Sequence, residues 1–211
     1  MNLSRIVLWR HGRTEWNLNQ RWQGQSDIPL DIIGKAQAEA AAEMLARLQP
    51  SMLVSSDLVR ASKTAEFLSH VTGLEVVLDK RLRETDGGLW EGLTYSEIEE
   101  QHGDSLRSWQ QDISAPAGVT GETRGAVAAR VIEAITEYAK VATGTLVVAT
   151  HGGSARAATL ELLGLPMKHH NAFKVLSNAG WVVLDRDPTH NIWRISDYNV
   201  SAMPPMREVH L

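Results

Sequence analysis

Three short apolar runs, Ile6-Val7-Leu8-Trp9, Met52-Leu53-Val54 and Leu146-Val147-Val148-Ala149, limit what this chain can fold into more than any other feature. Each is too short for a buried helix and shows no alternation, so each reads as a strand covered on both faces. Stretches of helical period separate them. Strands that alternate with helices lie parallel and carry helices on both faces, which predicts an α/β domain of three layers, α/β/α, around a mostly parallel sheet. Ligands in such sheets collect at the carboxyl ends of the strands. There stand Arg10 with His11 after the first run, Arg60 soon after the second, and His151 after the third. All suit an anion, and parallel neighbours bring them to one edge of the sheet.

A lone histidine at a strand end is commonly a hydrogen-bonded loop residue, and a lone arginine is commonly solvated. The repetition carries the weight. His11 and His151 lie 140 positions apart, yet each ends an apolar run and meets glycine at once, Gly12 in one case and Gly152-Gly153 in the other. Arg10 and Arg13 flank His11 and point to an anionic ligand. Arg60 falls in the first turn of a helix, where unpaired amides and the positive end of the dipole already favour negative charge.

Between these ends the chain alternates. Arg21 to Leu30, punctuated by Gly24 and Pro29, is a loop. Asp31 caps a helix with Ile33, Ala36, Ala40, Met44 and Leu48 on its core face. Ser55-Ser56-Asp57 supplies cap residues for a helix that buries Leu58, Ala61, Ala65 and Leu68 and closes at Gly73, and Glu75 to Leu78 is a further strand. From Thr94 to about Gly121 the pattern loosens into two helical pieces, Tyr95 to His102 and Asp104 to Asp112, a helical insertion over the active site. A long helix after Thr123 aligns Val127, Val131, Ile135 and Tyr138. Gly180 to Leu184 and Ile192 to Ile195 alternate about Asp187 to Asn191 as an edge hairpin, and the tail with Pro204-Pro205 is irregular. With 211 residues and no internal repeat, a single domain over 1–211 is expected. A net charge of −4 without a basic stripe argues against nucleic acid. No apolar run nears the roughly 20 residues of a membrane span. The lack of cysteine and of a signal-peptide pattern predicts a cytoplasmic protein.

Arg10-His11-Gly12-x-Thr14-x-x-Asn17, with Trp16, resembles the signature of the histidine phosphatase superfamily, which holds phosphoglycerate mutases and many phosphomonoesterases. Ser55 through Ala65 resembles its second motif, Arg83-Glu84-Thr85 its acidic segment and His151-Gly152 its other histidine motif, so the likeness runs from about Arg5 to Gly164. The resemblance implies that His11 is a nucleophile forming a phosphohistidine, and that Arg10, Arg60 and His151 cancel charge on the phosphoryl oxygens. It implies that Glu84 protonates the leaving group and then activates water, and that Asn17, Gln23, Gly24 and Gly152 touch the substrate. The chemistry is coherent: a neutral histidine nitrogen is a competent nucleophile near neutral pH. Positioning and charge cancellation are most of what phosphoryl transfer needs. No cofactor and no metal is implied. A metal hydrolase would want a His-x-x-x-His pair or an acidic cluster at ligand spacing, which the chain lacks.

Two further readings stand beside a phosphomonoesterase: a cofactor-dependent phosphoglycerate mutase, and a phosphate-binding module without catalysis. Mutases of the superfamily carry a tyrosine three residues after the acidic glutamate and an arginine pair in the insertion. Here Gly87 takes the first place, and no arginine pair lies between Thr94 and Gly121. Cations for a second anionic group are therefore expected to be missing, which favours hydrolysis. Binding alone would need only the arginines, so His11, Glu84 and His151 together speak against the module. Arg81-Leu82-Arg83-Glu84-Thr85, Trp90-x-Gly92-Leu93-Thr94, Gly121-Glu122-Thr123 and Asn199-x-Ser201-Ala202 are similar to an actinobacterial branch that acts on glucosyl-3-phosphoglycerate. That likeness implies a small-molecule phosphate ester of a sugar or glycerate as partner, neither nucleic acid nor membrane. A homodimer is also expected, with the hairpin edge as a surface for pairing.

Overall fold

The computed structural model of the chain describes residues 3–202, so the expected irregular tail at Pro204-Pro205 lies outside the described residues. Its elements are β1 (Leu3–Arg10), α1 (Glu15–Leu18), α2 (Ile32–Ala46), β2 (Pro50–Ser55), α3 (Val59–Thr72), β3 (Val76–Leu78), α4 (Tyr95–Gln111), α5 (Arg124–Ala139), β4 (Gly144–Thr150), α6 (Gly152–Leu162), β5 (Trp181–Asp187) and β6 (Ile192–Val200). The strands form one sheet in the order β3-β2-β4-β1-β5-β6. The first four in that order run parallel, while β5 is antiparallel to β1 and pairs with β6 as the edge hairpin. β2, β4 and β1 are thus adjacent, and their carboxyl ends share one edge.

The continuous apolar runs are explained by burial on both faces. Ile6 and Leu8 join Leu146 and Val148 beneath α5 and α6, in a cluster with Val127, Val131 and Ala158. Val7 and Trp9 point the other way and pack with Leu53 and Val147 against Ala41, Leu45 and Leu68 of α2 and α3. The result is the three-layer sandwich with helices on both faces. No helix among the described residues is long and apolar enough to cross a membrane.

Two helix details differ from expectation. In α2 the buried residues are Gly34, Ala38, Ala41, Ala42 and Leu45, not the Ile33, Ala36, Ala40, Met44 and Leu48 face. Ala36 is exposed, and Met44 is 38% exposed. An alanine-rich helix has no sharp apolar stripe, so close approach decides the face: a Cβ on Gly12 would collide with the Gly34 carbonyl, and one on Gly34 with the Arg13 carbonyl. The start of α2 therefore supports the loop after β1 directly. In α3 no side chain of Ser55, Ser56 or Asp57 caps the first helical amide. Val59 N instead donates to Asp27 Oδ1 at 2.7 Å, because both oxygens of Asp57 are taken by Arg83 at 2.7 and 2.6 Å.

The insertion forms as two pieces joined at a break, with non-helical backbone at His102 inside α4. Thr94 and Glu97 form a capping box at its start. Trp22, Trp90 and Trp109 meet edge-to-face, with centroids 5.1 to 6.3 Å apart, and Ile98 and Leu106 pack around Trp90. Each such aromatic pair is worth about 1 kcal/mol beyond the area it buries. This small separate core holds Trp109 over the strand ends.

Candidate active site

The carboxyl ends of β1, β2 and β4 open into a cavity of about 300 Å³ whose wall includes Arg10, His11, Asn17, Gln23, Arg60 and Glu84. His11 arrives as β1 runs out, with its backbone N–H held by the Thr150 carbonyl at the end of β4. Its ring is 2% exposed, and Nδ1 lies 2.7 Å from the Gly12 carbonyl. A carbonyl can only accept, so Nδ1 carries the proton and Nε2 keeps a lone pair. Burial, then the neighbouring Arg60 and Arg10 guanidiniums, hold the His11 pKa well below the usual histidine range. At neutral pH the group is an uncharged imidazole. Arg10 is buried beside it, with Nη1 on the Leu176 carbonyl at 2.5 Å. Arg13 is placed otherwise than expected. Its Nε donates to Asp31 Oδ2 at 2.7 Å and its backbone N–H to Gln37, which turns it toward α2.

Arg60 is fully buried. Its Nη1 donates to the Ser26 carbonyl and Nη2 to the Gly24 carbonyl, both at 2.7 Å, and Nε donates to His151 Nδ1 at 3.2 Å. Three of its five N–H donors are used in this way, which leaves two for a ligand. Burial lowers its pKa to about 10, so it stays cationic at neutral pH. Gly24 has a left-handed φ of +51°, and a Cβ there would collide with the Glu91 carboxylate. That carboxylate in turn accepts from the N–H groups of Gln25 and Ser26 at 2.7 and 3.0 Å. Asp27 caps α3 from this loop while Arg60 of α3 grips its carbonyls, so loop and helix position one another.

His151, fully buried at the end of β4, does not line the cavity. Since its Nδ1 accepts from Arg60, the proton sits on Nε2 and is donated to Ser56 Oγ at 2.8 Å. Its ring centroid lies 5.2 Å from that of His11. Burial, followed by Arg60 and His11, keeps its pKa well below the usual histidine range. Glu84 accepts from the amides of Thr85, Gly153 and Ser154 at 2.8, 2.9 and 3.1 Å, the last two from the first turn of α6. Arg130 fixes the backbone beneath it by donating to the carbonyls of Arg81, Arg83 and Glu84 at 2.7 to 2.8 Å. Thr14 donates its N–H to Asn17 Oδ1 and its hydroxyl to Gln23 Oε1. Both carboxamide oxygens are thus occupied, and the NH2 groups are the ends able to donate into the cavity. Gly152 opens α6, and a Cβ on it would come within 3.4 Å of Arg10 Nε.

The structure thus brings His11, Arg10, Arg60, Glu84, Asn17, Gln23, Gly24 and Gly152 to one cavity, with His151 directly behind it. Trp22, Thr85, Trp109 and Arg156 line it as well and escaped sequence reasoning, as did Ser56, Glu91 and Arg130 behind the wall. The expectation that further cations are missing is corrected. Arg156 of α6 lines the cavity and Arg124 of α5 stands in an adjoining recess, so further cations lie near the site although the insertion holds no arginine pair.

Three histidines buried in neutral form make stability sensitive to acid. The pKa of His170 is lowered to about 4, by burial and by Arg124 and Arg156, while His11 and His151 lie well below their normal range. Below about pH 6.5 the unfolded chain binds protons that the native state does not, so stability falls as pH falls. The urea midpoint is expected to be lower at pH 5.5 than at pH 7.5. Equal midpoints would contradict the neutral assignments.

The profile of the histidine phosphatase superfamily, branch 1, matches residues 6–201. The chain belongs to this superfamily. This histidine phosphatase is 39% identical to the glucosyl-3-phosphoglycerate phosphatase of Mycolicibacterium vanbaalenii, over 96% of its own length and 97% of that relative. It is 33% identical to a protein of an Enterobacter species named a "probable phosphoglycerate mutase", over 76% of this chain and 75% of the other. Among solved structures, mycobacterial glucosyl-3-phosphoglycerate phosphatase in complex with VO3 matches with a TM-score of 0.86 at 38% identity, covering 94% of this chain and 100% of that one.

Proposed function

We propose that this histidine phosphatase is a phosphomonoester hydrolase that works through a phosphohistidine on His11, and that its substrate is a phosphorylated glycerate derivative such as glucosyl-3-phosphoglycerate. The observation that carries the reading is the state of His11: a buried, neutral imidazole whose Gly12 contact leaves the lone pair on Nε2, in a cavity shared with Arg10, Arg60 and Glu84. The 39% identity along nearly the whole chain supports the substrate class.

In the first step Nε2 attacks phosphorus as the ester P–O bond breaks, and the departing alkoxide takes a proton from the Glu84 carboxyl. In the second, a water gives its proton back to Glu84 as its oxygen attacks phosphorus, and the P–N bond breaks to release inorganic phosphate. Charge on the equatorial oxygens is met by Arg10 and by the two unused donors of Arg60. His151 acts through Arg60, whose Nε it accepts, and against the ring of His11. It is a positioning residue in this arrangement.

Phosphate release from glucosyl-3-phosphoglycerate and from 3-phosphoglycerate, with His11→Ala as control, tests the proposal. Faster release from the glucosylated compound, abolished in the variant, is the expected result. Isomerised phosphoglycerate without phosphate release would replace the hydrolase by a mutase, and no turnover of either compound would leave only a binding module.

A further inference from the structure

A second cationic centre lies beside the cavity. A recess of about 30 Å³ is lined by Trp109, Arg124, Val127, Arg156, Met167 and His170, and it shares Thr85, Trp109, Gly153 and Arg156 with the main cavity. Arg124 is 7% exposed, and its Nε and Nη1 are buried without a hydrogen-bond partner among the described residues. Its guanidinium carbon lies over Trp109, 3.5 Å from the ring centroid, a cation–π contact that leaves Nε and Nη1 without a hydrogen-bond acceptor. No carboxylate forms an ion pair with Arg124 or Arg156 among the described residues. The acidic groups that reach them electrostatically are Asp112 for Arg124, and Tyr198 followed by Glu84 for Arg156. Asp112 accepts from Ser114, Glu84 accepts from the α6 amides, and the Tyr198 hydroxyl donates to the Lys174 carbonyl.

The placement of these charges is costly. Arg124 is the first residue of α5, at the positive end of the helix dipole, where a cation is disfavoured. Burial and the nearby Arg156 lower its pKa to about 10, and burial with both arginines lowers that of His170 to about 4. Two guanidiniums and a neutral imidazole with apolar walls form an arrangement that an anion would complete. In a site of low polarity, an arginine pair binds a carboxylate by short, charge-assisted, two-pronged hydrogen bonds.

We infer that Arg124 and Arg156 form a subsite for a carboxylate carried by the substrate, so that the enzyme selects phosphomonoesters bearing a carboxyl group. The inference rests on the phosphomonoester reading of the main cavity and adds to it the second functional group of the substrate. Size agrees: about 30 Å³ holds two water-sized oxygens but no sugar ring, so the carboxylate enters the recess and any larger substituent lies toward the mouth. Trp109 is the shared wall, lining both the recess, where Arg124 lies over its ring, and the main cavity.

Calorimetry on the His11→Ala protein separates binding from turnover. The probes are 3-phosphoglycerate and glycerol 3-phosphate, which differ by the carboxylate. The carboxylated compound is expected to bind on the order of 10- to 100-fold tighter. Arg124→Gln and, independently, Arg156→Gln in the same background are expected to move that ratio toward one. Using both variants guards against a single substitution that disturbs folding. Equal affinities for the two probes in the parent, or a ratio unmoved by both variants, would overturn the subsite. Turnover by the otherwise unaltered enzyme judges the underlying reading by itself. Release of phosphate with an unmoved binding ratio removes the subsite and keeps the hydrolase, whereas a ratio that moves without any turnover keeps the subsite and removes the hydrolase.

Discussion

Replacing His11 by alanine is expected to lower phosphate release by a factor on the order of 10⁴ or more, because it removes the atom to which phosphorus is transferred. The neighbouring groups cannot take its place. His151 Nδ1 is held by Arg60, and its Nε2 is committed as a donor to Ser56. Glu84 is held by the amides of Thr85, Gly153 and Ser154. The loss should appear in kcat, with substrate affinity kept within a small factor, since Arg10 and Arg60 remain. Burial makes the fold an important control: deleting a neutral ring that is 2% exposed creates a small cavity, so the melting temperature must be shown to lie above the assay temperature. Residual activity within tenfold of the parent would remove His11 from the chemistry.

Glu84→Gln is the second large effect, and its size should depend on the leaving group. A positioned acid contributes roughly 10² to 10⁴ in rate, so alkyl phosphates, whose alkoxides need a proton, should lose about that much. A nitrophenyl phosphate departs without protonation, and its first step should be nearly unaffected. Water attack on the phosphohistidine still lacks its base, so the variant should release one equivalent of nitrophenol rapidly and then slow. Glutamine keeps one carbonyl oxygen, enough for the amides of Thr85 and Ser154 but not for that of Gly153, which sits on the other carboxylate oxygen, so the melting temperature of the variant is a necessary control. An equal loss for alkyl and nitrophenyl esters, with no burst, would contradict the role given to Glu84.

The layers of the fold were legible because burial on both faces leaves uninterrupted apolar runs, and the sheet order β2-β4-β1 makes the three strand ends neighbours. The break in the insertion was legible too, since Gly103 follows His102 just where the backbone leaves the helix. Other features depend on contacts between distant segments. The buried face of α2 follows from the meeting of Gly12 and Gly34, and alanines at several angles around that helix conceal it. The cap of α3 comes from Asp27, more than thirty positions before Val59, because Asp57 is taken by Arg83. Arg13 looked like a partner of the ligand until Asp31 claimed it.

The recess shows most clearly where sequence reasoning stopped. Arg124 and Arg156 stand 32 positions apart and come together because α5 and α6 pack against each other, so no single segment carries an arginine pair as a sequence signal. One sign was available. Both Arg60 and Arg124 lie in the first turn of a helix, the end that repels cations, and a charge placed against the dipole points to an anion nearby.

The central claim is that phosphorus passes through His11. The most direct measurement is to mix the enzyme with substrate labelled in the phosphoryl group, quench in alkali within the first turnover and map the label by peptide. A phosphohistidine is stable to base and labile to acid. The account predicts such a label on the peptide containing His11 and none in the His11→Ala protein. Steady turnover with no protein-bound phosphate, or a label on another residue, would contradict it.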